Sequence, residues 1–151
     1  MFAVSTDIPY GNACDVEIER CDGTYEVAFA PSPHRGPETM WFCLRVQRDG
    51  GDRGTEASLR LVLKHTDNML GGHTPSVIRP VIRQADGDWV RLGEGEVREA
   101  PDGRRSVAWA ASMPGEYLDL ALSFPYGRPD VEALVAGSDG YWRMDTIGIS
   151  Q

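Results

Sequence analysis

Period-two alternation of apolar and polar side chains recurs along the whole chain, and it restricts the fold to strands that each turn one face to a core. In residues 13–20, Cys14, Val16 and Ile18 share one face while Asp15, Glu17 and Glu19 take the other. Asp22-Gly23 follows, a hairpin dipeptide whose glycine tolerates positive φ. Tyr25, Val27 and Phe29 then alternate against Thr24, Glu26 and Ala28, so residues 13–30 predict a two-stranded hairpin. Three prolines within residues 31–37 fix φ and remove donors, which makes that stretch a loop.

The same alternation predicts strands over 41–48, with Phe42, Leu44 and Val46 inward, and over 57–65, with Leu59, Leu61 and Leu63 inward. Weaker patterns place strands at 77–83, 89–92, 106–111 and 117–124, the last carrying Leu118, Leu120, Leu122 and Phe124 on one side. Pro80 demotes the 77–83 segment to an edge or a bulge, because proline cannot donate to a ladder. One helix is expected, over 128–136: Pro129 suits a first turn, Asp130 and Glu132 complement the dipole, and Gly137 supplies a stop. About nine or ten short strands, turn signals every 8 to 12 residues and one late helix describe an all-β, antiparallel β-sandwich, with residues 1–151 forming one domain.

Charge narrows the partners. The chain has 15 basic and 23 acidic residues and a formal charge of −8, and its basic side chains are scattered. No Lys/Arg cluster offers a footprint for nucleic acid or anionic lipid. No apolar run approaches the ~18 residues of a membrane span, and residues 1–7 lack the pattern of a signal peptide, so the cytoplasm is the expected compartment. Cys14, Cys21 and Cys43 have no C-x-x-C spacing and read as reduced thiols.

The densest group of ligand-type residues is His65, Asp67 and His73. An H-x-D pair with a later histidine is the pattern of non-haem iron oxygenases, but there the last histidine returns from a distant strand, and no histidine follows residue 73 here. A turn leaving a strand is the competing reading. His34 and Glu38 match neither H-x-x-E nor H-E-x-x-H, and no G-x-S-x-G, P-loop or G-x-G-x-x-G occurs. Trp41, Trp89, Trp109 and Trp142 raise a carbohydrate-binding sandwich as an alternative, although Trp41, Trp109 and Trp142 sit where core rings are expected and only Trp89 looks like a rim residue.

Several segments, read in order, resemble the domain that precedes the catalytic domain in zinc carboxypeptidases of the cytosolic carboxypeptidase type. They are Gly11-Asn12, Trp41-Phe42, Leu61 to His65 running into Thr66 to Gly72, Arg79-Pro80-Val81 leading to Trp89-Val90-Arg91, Phe124-Pro125-Tyr126-Gly127 entering Val131 to Val135, and Met144 to Gln151. The resemblance implies a β-sandwich that packs on a carboxypeptidase domain, in cis or as a split chain, and helps shape its active-site mouth. The family's H-x-x-E pair, distant zinc histidine and general-base glutamate have no counterpart here. It therefore implies no catalytic residue and no metal ligand in this chain, with zinc confined to the absent catalytic domain. The family's tyrosine-threonine after proline-tyrosine reads Gly127-Arg128 here.

On this reading the chain is a non-catalytic accessory domain of a metallocarboxypeptidase. Its partner-facing surface is expected near residues 66–74 and 125–128, with Asp67, Asn68, Tyr126 and Arg128 as contact residues. The bland alternatives are a tyrosine capping the core and an arginine solvating the helix start. A strand edge bared by truncation would offer a route to self-association.

Overall fold

A computed structural model describes residues 1–32, 41–49, 56–69, 75–85 and 87–145. They form ten strands and one helix: β1 Phe2–Ser5, β2 Cys14–Cys21, β3 Thr24–Ala30, β4 Cys43–Arg48, β5 Ala57–Leu63, β6 Val81–Gln84, β7 Val90–Arg91, β8 Glu96–Glu99, β9 Arg105–Met113, β10 Tyr117–Ala121 and α1 Arg128–Ala136. Two five-stranded sheets result, sheet I in the order β1-β4-β10-β6-β7 and sheet II in the order β2-β3-β5-β9-β8. The all-β sandwich with a short late helix is thus the observed architecture. All pairs are antiparallel except β3 with β5, which run parallel because the chain crosses to sheet I for β4 and returns.

The alternating apolar faces meet between the sheets. Val27, Phe29, Leu59, Leu61, Leu63 and Val107 from sheet II face Phe42, Leu44, Val46, Leu118 and Leu120 from sheet I, and these side chains have at most 1% of their surface exposed. Phe29 and Phe42 meet edge to face between the sheets, with ring centroids 5.2 Å apart. Each such side chain removed from water contributes about 1.5–3 kcal/mol, which is the main source of stability here. The β2–β3 hairpin turns on Asp22 and Gly23, with φ of 50° and 84°, as the dipeptide demands. No helix among the described residues is long and apolar enough to cross a membrane.

Some expected faces and boundaries differ. Val16 is exposed rather than aligned with Cys14 and Ile18, because a bulge at Asp15 (φ 50°) breaks the register between Cys14 and Glu17. Residues 75–77 form a 3-10 turn, and Pro80 stands just ahead of β6, where its missing donor costs no ladder bond. Strand β10 stops at Ala121, so Phe124 is 51% exposed instead of continuing the Leu118–Leu120 face. Trp109 is buried as expected, but Trp142 is 60% exposed, since the chain beyond α1 leaves the sandwich. Strand β8 is exposed along its length, and its Glu96, Arg98 and Glu99 charges discourage pairing with another edge. Gly95, which leads into β8, is a close-approach glycine: a Cβ there would stand 2.4 Å from Val107 and 2.7 Å from Trp109.

Candidate functional site

The outer face of sheet I is not a plain solvated surface. The polar alternation of β4, β6 and β10 brings Cys43, Val81, Asp119 and Ala121 to this face, yet all four are buried. Ile8, Trp41 and Trp89 cover them as a second small apolar cluster. The cover depends on residues 6–12. Gly11 donates to Ile8 O (2.9 Å), and any Cβ on Gly11 would lie 1.9 Å from Thr6 O, so this tight turn admits only glycine. Tyr10 is held at φ 67°, its carbonyl accepting from Trp41 Nε1 (2.8 Å). Asn12 exchanges two backbone bonds with Cys43 (2.7 and 3.0 Å) and donates its side-chain amide to Trp41 O (2.9 Å).

The same tyrosine reaches the helix. Its hydroxyl donates to Asp130 Oδ2 (2.9 Å), and Gly127 N donates to the same oxygen (2.7 Å), which caps the start of α1. These bonds hold the Asp130 carboxyl below its ordinary range, the Gly127 amide first and the Tyr10 hydroxyl second, and the bond to Asp130 pushes the Tyr10 phenol up. Gly127 has a steric reason: a Cβ there would stand 2.5 Å from the Tyr10 ring, which occupies the space. Gly127→Ala is therefore expected to dislodge Tyr10 and break the latch. Amide protection over 131–137 should fall while that of β3, β5 and β10 stays within about twofold, since α1 buries no side chain in the core.

Beneath the turn, Asp119 is 1% exposed and receives three charged hydrogen bonds. Arg45 gives Nε to Oδ1 (2.6 Å) and Nη2 to Oδ2 (3.0 Å), and Arg83 gives Nη2 to Oδ2 (2.8 Å). Each guanidinium also lies over an aromatic ring, Arg45 over Tyr117 at 3.7 Å and Arg83 over Trp89 at 4.8 Å. A cavity of about 280 Å³ opens above them, walled by Ile8, Pro9, Tyr10, Trp89, Pro125 and Pro129. The Cys43 thiol lines it and is pushed up to about 11, by burial first and then by the Asp119 charge, so it stays neutral at ordinary pH. A second groove of about 490 Å³, on the other side of Tyr10, is lined by Asn12, Trp41, Phe124 and Tyr126.

The four expected contact residues fall in two places. Tyr126 is 64% exposed and lines the second groove, so it does not cap the core. Arg128 is exposed and bonded to Glu132 one turn on (2.6 Å). Asp67 lies in the 3-10 turn Thr66–Asn68, with Asn68 beside it, and ties that turn to β9 by accepting from Arg105 N (2.9 Å) and Arg105 Nε (2.6 Å). His65 points elsewhere, its Nε2 lying 3.8 Å from Asp15, while His73, His34 and Glu38 are outside the described residues. No three His, Cys, Asp or Glu side chains among the described residues are placed to hold a metal ion.

The bonds from Arg105, backbone first, hold Asp67 below the ordinary carboxylate range, and Lys64 does the same for Asp15. A carboxyl depressed in the folded state contributes stability above its unfolded pKa of about 4 and loses it as pH falls through the folded value. The melting temperature should therefore decline below about pH 4, and Asp67→Asn should flatten that decline. A decline of unchanged steepness in the variant would show that Asp67 contributes nothing to it.

The described residues form a two-sheet β-sandwich that exposes apolar side chains over residues 124–144. Solved structures with this fold include the metallo-carboxypeptidase from Burkholderia cenocepacia (14% identity, TM-score 0.62, covering 90% of this chain and 32% of that one). A carboxypeptidase from Burkholderia mallei is similar (12%, TM-score 0.61, 90% and 32%), as is the metallo-carboxypeptidase from Pseudomonas aeruginosa solved with (2-guanidinoethylmercapto)succinic acid (20%, TM-score 0.57, 91% and 34%). At these identities the likeness establishes a shared fold, and the chain spans about a third of the length of these proteins. No protein-family profile and no curated protein matches the sequence.

Proposed function

We propose that this chain is a non-catalytic accessory domain of a cytoplasmic zinc metallocarboxypeptidase, packing on the catalytic domain and shaping access to it. The observation that carries the reading is the fold likeness, which takes in 90% of this chain and only 32% of the Burkholderia carboxypeptidases. The surface agrees with it. Six of the twelve exposed large hydrophobic residues among the described residues, Phe124, Tyr126, Leu134, Tyr141, Trp142 and Met144, fall within residues 124–144, and α1 has no buried residue. Surplus apolar surface gathered in one segment marks an interface, and here it would meet the catalytic domain. Zinc and its ligands would belong to that domain.

Reading the gene 3′ of the Gln151 codon tests this. A metallocarboxypeptidase domain in the same or an adjacent frame is the expected result, and its absence from both overturns the proposal. Glycan binding through Trp89 would be confined to one face of the ring, because Arg83 lies over the other.

A further inference from the structure

We propose that the cavity above Arg83 is a carboxylate-binding pocket that accepts a single carboxylate group from a peptide or protein partner. The argument begins with an imbalance. Arg45 alone satisfies Asp119 bidentately, using both carboxylate oxygens, so a purely structural ion pair needs no second arginine. Arg83 is nevertheless brought to the same carboxylate, and it contributes one bond. Its Nε–H is buried without a hydrogen-bond partner among the described residues, while 36% of the side chain stays exposed, so the part of the guanidinium open to an entering group is the part that lines the cavity.

The guanidinium is also preorganised. Trp89 lies against it at 4.8 Å and Asp119 anchors one end, so little side-chain freedom remains to be lost on binding. The apolar walls from Ile8, Pro9, Pro125 and Pro129 lower the local dielectric, which strengthens attraction between Arg83 and an entering anion. Asp130 is the other acid on the wall. Its charge is taken up by Tyr10 and Gly127 at the start of α1, where the helix dipole favours it. A volume of about 280 Å³ has room for one acidic side chain or one chain terminus. The inference stands whether or not the accessory-domain reading holds.

The test follows the Trp89 indole and Arg83 Nε–H signals by NMR during titration with three capped peptides. Acetyl-Gly-Gly carries a terminal carboxylate, acetyl-Gly-Glu-Gly-amide a side-chain carboxylate, and acetyl-Gly-Gln-Gly-amide neither. Saturable shifts are expected with at least one of the first two and none with the third, and the stronger of the two identifies the source. Binding should weaken severalfold between about 50 and 500 mM salt, as an ionic contact does. Arg83→Gln leaves both Arg45 bonds to Asp119 and should remain folded while losing about tenfold or more in affinity. Arg83→Lys keeps the charge without the fork and should bind at an intermediate strength. No response up to about 20 mM, an equal response to the glutamine peptide, or unchanged binding by both variants would overturn the proposal.

Discussion

Phe29→Ala is expected to lower the unfolding free energy by about 4 kcal/mol, the largest loss from any single truncation considered. Phe29 is wholly buried, pairs with Leu63 of the parallel partner β5 near the end of β3, and meets Phe42, just ahead of β4, edge to face. Truncation removes its transfer energy, leaves a cavity between sheets that cannot close without shifting both, and forfeits an aromatic pair worth about 1 kcal/mol. For a domain of this length the melting temperature should fall by about 8–16 °C. A loss below about 1.5 kcal/mol would mean that the sheets do not pack through this pair.

Asp119→Ala is the second large effect, expected at about 3 kcal/mol. The substitution takes from Arg45 and Arg83 the buried carboxylate they share, beneath a small apolar cluster that includes Ile8, Trp41 and Trp89. Both arginines keep some contact with water, at 25% and 36% exposure, which holds the cost at the lower end for a broken buried pair. Replacing Arg83 by Gln should cost much less, because Asp119 then keeps Arg45. Chemical denaturation of the two variants separates these outcomes. Equal losses would show that the two arginines support Asp119 equally, and would weaken the case for Arg83 as the surplus cation.

The sheet interior was legible because its cause is local. Leu59, Leu61 and Leu63, or Leu44 and Val46, alternate with polar residues on a period that only a strand can satisfy, and Asp22-Gly23 announces its own turn. Strand β8 was missed because both its faces meet water and no alternation is imposed on it. Phe124 and Trp142 differ from the expectation for a related reason: ring size argues for burial, but these rings lie in a segment that does not pack between the sheets. The candidate site was nearly invisible. Asp119 sits between Leu118 and Leu120 and reads as an outward polar residue, and outward it is, toward arginines 74 and 36 positions away. The Tyr10–Asp130 latch joins positions 120 apart. One trace did exist in the sequence, since Gly127 stands where the resembled family has a tyrosine, and it is the Tyr10 ring that requires the glycine.

The central claim is that residues 124–144 face a catalytic domain, and hydrogen exchange tests it most directly. Amide exchange should be compared between residues 1–151 alone and the protein in which they are joined to the carboxypeptidase domain. The expected result is slowing of at least about tenfold across 124–144, with β2 and β3 unchanged. Equal rates across 124–144 in the two proteins would contradict the account.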